Sequence, residues 1–333
     1  MILEHVRKGY LPAHPEIWSN PQIEIDLEKC NGCGNCTKGC PTSMLEVWAK
    51  KARIIEGWPC FGCYNCIAVC KQDAISQRGF YNVSEGGFKT TLLHPQDGYP
   101  NPPAVEGIKE MTPVEEVIYR RRSNRIFKKD PVPDDMIRRV IEAGRFAPSS
   151  GNGQPWAFIV INDRKEMDEL TPYVSLFYKV ITTMHQLGKK SRLMRAYWSV
   201  ASIVLPGLFD QRAMRAAAKT VAPGDVFVSA PALIILLADK RGVSNPDLDL
   251  GICGQNMVLA AHSLGLRTCY VSFFTNAVKF IPLLKWKLGI KWPYRAVTSI
   301  ALGYPKVDTD AIVERELPRI TWHKGGKVWE EMP

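Results

Sequence analysis

Cysteine is the residue type whose spacing indicates the most about the chemistry of this chain. Eight of its ten cysteines lie between residues 30 and 70, in two copies of one spacing, C-x2-C-x2-C-x3-C. The first copy reads CNGCGNCTKGC and the second reads CFGCYNCIAVC. Thiolates this close in the chain can converge on one centre, and soft metal centres prefer thiolate ligands. The two copies therefore predict two thiolate-bound metal centres.

The spacing is the one that bacterial ferredoxins use for [4Fe-4S] clusters. In that pattern the first three thiolates of a run bind one cluster, and the fourth binds the cluster of the other run. This crossing rule predicts two ligand sets, which we call cluster 1 and cluster 2. Cluster 1 takes Cys30, Cys33, Cys36 and Cys70, and cluster 2 takes Cys60, Cys63, Cys66 and Cys40.

Two other arrangements of cysteine explain the pattern less well. A zinc site takes four ligands, usually as two CxxC pairs that a longer loop separates, and not four cysteines at this spacing twice over. A disulfide framework suits a short secreted chain, whereas this chain has 333 residues and shows no secretory signal in its first twenty. We therefore expect iron–sulfur clusters.

Length and composition describe a globular protein with more than one domain. Hydrophobic residues make up 46% of the chain and charged residues 23%, which is ordinary for globular proteins. A chain of 333 residues more often forms two domains than one. The sequence contains no run of eighteen consecutive apolar residues, the length that a helix needs to span a bilayer. We expect a cytoplasmic location, where thiols stay reduced.

Composition divides the chain into three parts. Residues 1–78 hold both cysteine runs and the short strand expected after the second run. Residues 79–111 contain repeated Pro and Gly without a helical or strand period, and this predicts a linker. Residues 112–333 form the second domain.

The second domain alternates predicted helices and strands. A capping box at Thr112 with proline behind it predicts one helix start, Asp134 is the predicted cap of a second helix, and a third helix covers 250–264 and is closed by Gly265. Strands are predicted at 157–161, 232–238, 268–273 and 296–302. The expected fold is α+β, with a ferredoxin-like domain followed by a mixed central sheet that has helices on both faces.

Four ordered motifs of the second domain carry a family resemblance: RRSNRIF at 121–127, APSSGNGQPW at 147–156, LGLRTC at 264–269 and LGYP at 302–305. In order and spacing they resemble the FMN-dependent nitroreductase family. With the cysteine runs ahead of them, the chain is similar to the fusions of a two-[4Fe-4S] ferredoxin domain with a nitroreductase domain. The resemblance implies an oxidoreductase that uses two [4Fe-4S] clusters and FMN, and a homodimer with FMN at its interface.

The resemblance also implies that an arginine segment holds the FMN phosphate. Arg121, Ser123 and Arg125 offer two guanidinium groups and a hydroxyl at alternate positions, which suits charge-assisted bonds to a phosphate. Arg122 is included among the cofactor-binding residues, although a solvated basic face also explains it. In the family a further arginine near the C-terminus joins them; Arg315 is the better match here, and Arg319 is the second candidate.

Two further flavin contacts follow from the resemblance. One is a loop of small residues that approaches the ring, in part from the second subunit, and consists of Pro148, Ser149, Ser150, Asn152 and Gln154. The other is the backbone amide of Ser272, in the stretch Tyr270-Val271-Ser272, which faces the reactive flavin nitrogen. Such a donor stabilises charge that develops in the reduced ring. For Gln154 alone, an ordinary polar connection is the alternative.

Positive charge is concentrated in one segment. The net charge is +10, and residues 171–223, interpreted as a basic helical insertion, carry eight Lys/Arg against one Asp. This segment is open to four readings: a lid for an anionic substrate, a docking face for an acidic redox partner, a peripheral membrane contact, or a pair of packing helices with a solvated side. Nucleic acid is not expected as a partner, since no binding motif is present.

Two remaining cysteines and the absence of one motif have simple explanations. Cys253 and Cys269 lie in apolar contexts and are predicted to be buried small hydrophobic residues. No GxGxxG turn follows a strand, so the sequence does not predict a Rossmann nicotinamide site.

The predicted function is electron transfer from a low-potential donor such as reduced ferredoxin, through two clusters to FMN, and on to an electron-poor small molecule of the nitro, enone or quinone type. Two alternatives stay open. In one, NAD(P)H reduces FMN and the clusters carry electrons outward. In the other, the chain is a non-catalytic electron-transfer subunit of a larger complex.

Overall fold

The three-dimensional structure is a computed structural model that describes residues 22–55, 60, 63–78, 111–188, 221, 226–308, 312 and 320–331. Nearly all of the predicted linker, most of the basic segment after residue 188, and Arg315 lie outside these residues.

The N-terminal module consists of two short helices and two pairs of strands. In chain order these are β1 (Gln22–Ile25), α1 (Asn35–Gly39), β2 (Leu45–Trp48), β3 (Lys51–Ile54), α2 (Asn65–Ala68) and β4 (Ile75–Arg78). Strand β1 pairs with β4 and β2 pairs with β3, both antiparallel. The β2–β3 connection is the two-residue turn Ala49-Lys50, with φ of 47° and 60°, as a tight hairpin requires.

Cysteines form a large part of the core of this module. Its buried side chains include Cys30, Cys36, Cys40 and Cys60, packed with Ile23, Met44, Leu45, Ala52, Ala74 and Ile75. A module this small buries little apolar surface, so we expect it to depend on its metal centres for stability.

The C-terminal domain is built on a four-stranded sheet in the order β5 (Trp156–Ile161), β6 (Ala232–Asp239), β8 (Tyr294–Gly303) and β7 (Arg267–Tyr270). All three strand pairs are antiparallel. Parallel pairing occurs as an isolated bridge between Ser123 and Thr268, beside the edge strand β7. The fold class is therefore confirmed, with the parallel component of the sheet confined, among the described residues, to that bridge.

Both faces of the sheet are covered by apolar layers, as predicted. Along β6 the side chains of Ile234 and Leu236 enter one layer, and those of Leu233, Ile235 and Leu237 enter the other, because successive residues of a strand point to opposite faces. One layer contains α4 (Asp134–Arg145) and α6 (Pro246–Ser263), and the other contains α5 (Arg164–Gly188) and α7 (Ser272–Phe280) with α8 (Pro282–Lys287).

The helix starts confirm one prediction and correct another. Helix α3 (Pro113–Arg120) begins with the predicted capping box, in which Thr112 and Glu115 exchange hydrogen bonds. Helix α4 has Pro133 at its N-cap and no side-chain cap, so the prediction of Asp134 as the cap is wrong. The Asp134 carboxylate instead accepts a hydrogen bond at 2.9 Å from the side-chain amide of Asn162, which directly follows β5.

Three further boundaries differ from or add to the sequence predictions. Helix α6 starts four residues earlier than predicted, where the Asn245 side chain accepts from the Leu248 amide, and it ends as predicted at Gly265, which has φ of 77°. The strand predicted over 268–273 ends at Tyr270, and a helix begins at Ser272. A C-terminal hairpin of β9 (Ile320–Lys324) and β10 (Lys327–Glu331) was not predicted.

None of the helices within the described ranges is long and apolar enough to cross a membrane.

Candidate functional site

Each predicted set of four cysteines comes together in the N-terminal module. Burial, the largest cause, and the negative charges of Cys30, Cys70 and Cys33 together raise the pKa of the Cys36 thiol to about 11. Burial likewise raises the pKa of Cys66, and here the charges that add to the effect are those of Cys63, Cys40 and Cys60. The charges that act on Cys36 and on Cys66 thus come from the cysteines that the crossing rule groups with each of them, and the two ligand sets stay a prediction.

The surroundings of the thiols suit iron–sulfur clusters. All ten cysteines are described, and none forms a disulfide, which removes the disulfide framework. The backbone amides of Ala52 and Ala74 point at the sulfurs of Cys30 and Cys70, at 3.3 and 3.4 Å. Hydrogen bonds of this kind to sulfur tune the potential of a cluster. A Cβ on Gly32, which has φ of 72°, would collide with the Lys50 carbonyl, so the run needs glycine there.

Within the described part of the chain, no three His, Cys, Asp or Glu side chains could hold a single metal ion. Each thiolate of a [4Fe-4S] cluster binds its own iron atom, so cluster ligands stand farther apart than the ligands of one ion. The donor set, four thiolates in each group, is the one that such clusters use.

The arginine segment runs along the open edge of β7. The Asn124 amide donates to the Thr268 carbonyl at 2.9 Å, and the Lys128 amide donates to the Tyr304 carbonyl at 2.8 Å. These bonds hold residues 123–128 extended beside the sheet. Arg121 is the C-cap residue of helix α3. Burial raises the pKa of the Tyr270 phenol to about 12, and the nearby positive charge of Arg121 acts in the opposite direction.

Ser123 and Arg125 line a crevice between the two domains. The crevice has a volume of about 430 Å³, including solvent at its mouth. The N-terminal wall consists of Lys38, Gly39, Asn65 and Val69, and the C-terminal wall consists of residues 122–126, Arg267, Val307 and Asp308. Four of the lining residues are cationic and one is acidic, and a positive charge is what a phosphate group requires.

Arg122 points across this crevice. Its Nη2 donates to Oδ1 of Asn65 at 2.8 Å, and the contact is partly buried. The interpretation of Arg122 as part of a solvated basic face is therefore wrong. Its assignment as a cofactor-binding residue stays a prediction, since its hydrogen bond to Asn65 leads to the N-terminal module.

The small-residue loop lies at the opposite edge of the sheet. The loop directly precedes β5, the strand at one edge of the sheet. The arginine segment lies alongside β7, the strand at the other edge. The Ser150 amide donates to the Asp249 carboxylate of α6 at 3.4 Å, and the Gln154 amide donates to Oγ of Ser149 at 3.0 Å. Asn152 and Gln154 have φ of 54° and 45°, a backbone strain that is common at functional loops. Within one chain the structure does not bring this loop to the arginine segment.

Ser272 is the first residue of α7, directly after β7. The carbonyl of Val271 accepts from the hydroxyls of Ser299 and Thr275, at 3.0 and 3.3 Å, which fixes the turn from strand to helix. Amides of a first helical turn have no carbonyl partner inside their helix. The Ser272 amide can therefore donate to a ligand, as the predicted flavin contact requires.

The crevice also contains Arg267, Asp308 and Asn65, which were not identified from the sequence. Arg267 is 8% exposed and forms two hydrogen bonds to Asp308, at 2.9 and 2.7 Å. Asn65 has one signal that could have revealed it, its position next to Cys66. Cys253 and Cys269, by contrast, are buried among apolar side chains as predicted.

Comparison with known proteins gives two family matches. Residues 118–304 match the nitroreductase family, and residues 22–71 match the 4Fe-4S dicluster domain. A 4-nitrobenzoate reductase of Pseudomonas putida is 27% identical over 211 residues, 61% of this chain and 89% of the relative. Nitroreductase NfnB of Mycolicibacterium smegmatis is 26% identical over 225 residues, 62% of this chain and 88% of the relative.

Among solved structures, a nitroreductase with bound FMN from Desulfitobacterium hafniense is similar over 65% of this chain and 100% of its own, with 24% sequence identity and a TM-score of 0.47. The family match covers more than half of the chain. The chain therefore belongs to the nitroreductase family of FMN-dependent oxidoreductases, and it carries a 4Fe-4S dicluster domain ahead of the family domain.

Proposed function

We propose that the protein takes electrons singly from a low-potential donor such as reduced ferredoxin and passes them through its clusters and FMN to an electron-poor organic acceptor. The observation that carries this proposal is the crevice between the domains. Helices that bear cluster ligands form one wall, and the arginine segment forms the other. This lining supports the proposal that the two redox sites are neighbours within one chain.

When bound, the clusters supply one-electron carriers, and the flavin supplies the point where single electrons meet two-electron chemistry. The contribution of the chain is position and charge. Arg125 and Ser123 are suited to hold the phosphate, and the Ser272 amide is suited to donate to the ring. The N-terminal module forms the opposite wall of the crevice and would limit the access of water to a phosphate held there.

The acceptor class is supported by chemistry and by one relative. A nitro group, an enone and a quinone can each accept a reducing equivalent from a reduced flavin. The similar Pseudomonas putida protein is a 4-nitrobenzoate reductase, and this favours a nitroaromatic compound among the three. Two electrons from two donor molecules and two protons from water balance each two-electron step.

A homodimer is part of the proposal. The small-residue loop and the arginine segment lie beside β5 and β7, the two edges of a four-stranded sheet. Three strand spacings separate these edges, about 14 Å. A second copy could supply the loop to the arginine segment of the first, which supports a flavin site shared by two subunits. The absence of disulfides supports a reducing, cytoplasmic setting.

The test is isolation without oxygen, followed by reduction under two conditions. We expect iron and sulfide sufficient for two [4Fe-4S] clusters, together with FMN, in each chain. Reduced ferredoxin should bleach the clusters and the flavin, and a nitroaromatic compound should then reoxidise both. A chain that contains no iron would refute the proposal.

Two other results would select the alternatives. If NAD(P)H bleaches the flavin and then the clusters, while reduced ferredoxin bleaches neither, electrons flow outward. If every small acceptor leaves the reduced protein unchanged and a partner protein co-purifies, the chain serves as an electron-transfer subunit.

A further inference from the structure

We infer that Arg122 docks the ferredoxin module with cluster 2 toward the flavin site, so that electrons pass from cluster 1 to cluster 2 and then to FMN. Arg122 is a positioning residue in this arrangement, and Asn65 is its partner. The inference rests on the proposed function and specifies the route within it.

The contact of Arg122 leads to both cysteine runs. Oδ1 of Asn65 accepts from Arg122 at 2.8 Å, and Nδ2 of the same carboxamide donates to the Gly39 carbonyl at 3.4 Å. Asn65 directly precedes Cys66, and Gly39 directly precedes Cys40. Both of these cysteines belong to the cluster 2 set. The guanidinium of Arg122 is therefore connected, through one carboxamide, to the residues directly before two of the four predicted ligands of cluster 2.

A second contact leads from cluster 2 to strand β7. Ser123 and Arg125 line the same crevice as Gly39 and Asn65, and Ser123 forms a parallel bridge with Thr268 of β7. Thr268 lies four residues before Ser272. The residues that precede two cluster 2 ligands, the predicted phosphate-binding arginine and β7 therefore meet at this crevice.

Cluster 1 has the better access from outside. Cys33 is exposed, whereas Cys60 is buried and Cys63 is partly buried. Val69, which precedes the cluster 1 ligand Cys70, lines the crevice with an apolar side chain that offers no polar bond across it. An external donor can therefore approach Cys33 while the module stays docked. Each donor molecule is oxidised by one electron, and two such transfers and two protons from water reduce one acceptor.

The two cysteine runs supply a matched control. Asn35 precedes Cys36 at the start of α1, just as Asn65 precedes Cys66 at the start of α2. Asn65→Ala removes the acceptor of Arg122, and Asn35→Ala makes the same chemical change beside cluster 1. Arg122→Met is a second variant that breaks the contact without changing the ferredoxin module.

The experiment uses the full chain with its cofactors and follows cluster and flavin absorbance separately after rapid mixing with reduced ferredoxin. In Asn65→Ala and Arg122→Met we expect the clusters to be reduced at the original rate and the bound flavin to lag at least tenfold. Asn35→Ala should show no lag. Equal rates in Asn65→Ala, or the same lag in Asn35→Ala, would overturn the inference.

A readout independent of turnover is hydrogen exchange. Breaking the contact should increase exchange of the amides in 121–127 and 63–70, and the double variant should add nothing to either single variant, because both remove one bond. Unchanged exchange in both variants would refute the docking contact. If NAD(P)H proves to be the donor, the proposed direction fails, yet the lag then appears in cluster reduction, so the two ideas are tested separately.

Discussion

Lys51 brings a positive charge next to cluster 1. Its ammonium group donates to the carbonyls of Leu27 and Cys30, at 2.7 and 2.6 Å. A cation near a cluster favours the reduced form, which carries one more negative charge. The surroundings of the two clusters thus differ, with a lysine beside one and an interdomain contact beside the other.

We predict that Lys51→Met lowers the midpoint potential of cluster 1 by about 40 mV. The reason is the loss of an interaction of about 1 kcal/mol between a partly solvated cation and the cluster, and a tenfold change in a one-electron equilibrium corresponds to 59 mV. Anaerobic redox titration followed by electron paramagnetic resonance measures the shift. Lys50→Met, at the neighbouring exposed turn position, is the control, and an equal shift there would contradict the explanation.

The arginine segment allows a direct test of the phosphate site. We predict that Arg125→Ala weakens FMN binding by about 10- to 100-fold, since a hydrogen bond to a charged group contributes about 1.5–3 kcal/mol. Flavin fluorescence during titration of the flavin-free protein measures the affinity. Arg120→Ala is the matched control, because that guanidinium pairs with Glu116 on the surface of α3. Equal losses in both variants would argue for a general effect of charge.

Strand β8 ends in a close contact that permits no side chain. A Cβ on Gly303 would lie 2.6 Å from Cδ of Pro231 and 3.0 Å from a ring carbon of Phe127. Proline and the buried phenylalanine cannot move aside easily. The contact joins the start of β6, the end of β8 and the end of the arginine segment, so it helps to hold that segment against the sheet.

We predict that Gly303→Ala lowers the free energy of unfolding of the C-terminal domain by about 1–3 kcal/mol, the usual cost of overpacking. Gly251→Ala is the opposite control: this glycine lies inside α6, and a Cβ there would meet nothing within 4 Å. Alanine at that position should stabilise the domain by about 0.5–1 kcal/mol. Denaturant unfolding measures both changes, and a stabilised Gly303→Ala variant would show that the contact can relax.

The two domains depend on their cofactors to different degrees. The N-terminal module has a small core in which four cysteines take part, whereas the C-terminal domain has two apolar layers around a sheet. Metal binding contributes directly to folding where a core is too small to be stable alone. The stability of the whole chain is therefore not a single quantity.

Removing iron by anaerobic chelation should unfold the N-terminal module and leave the C-terminal domain folded. We expect the amides of 22–78 to exchange rapidly while those of β6 stay protected, and we expect the flavin to remain bound. Hydrogen exchange measured by mass spectrometry before and after chelation tests this. Loss of protection in β6 would show that the two domains fold as one unit.

The sequence alone was sufficient for the parts of this protein that depend on local spacing. The two cysteine runs predict both ligand sets because a cluster needs several thiolates close together in the chain, and the Thr112 capping box predicts the start of α3. The order of predicted helices and strands and the motifs of the second domain predict the fold class. The predicted strand over 268–273 was wrong in its second half, since its β-favouring residues do not reveal that Ser299 and Thr275 bind the Val271 carbonyl and turn the chain into a helix.

Contacts between residues far apart in the chain appear only in the tertiary structure. Asn65 and Arg122 are 57 positions apart, and Arg267 and Asp308 are 41 positions apart. No spacing rule joins either pair, because the first depends on how the two domains pack and the second on how distant parts of the C-terminal domain fold together. Local spacing therefore determines which metal centres and which flavin motifs the chain carries, and packing decides which cluster lies beside the arginine segment.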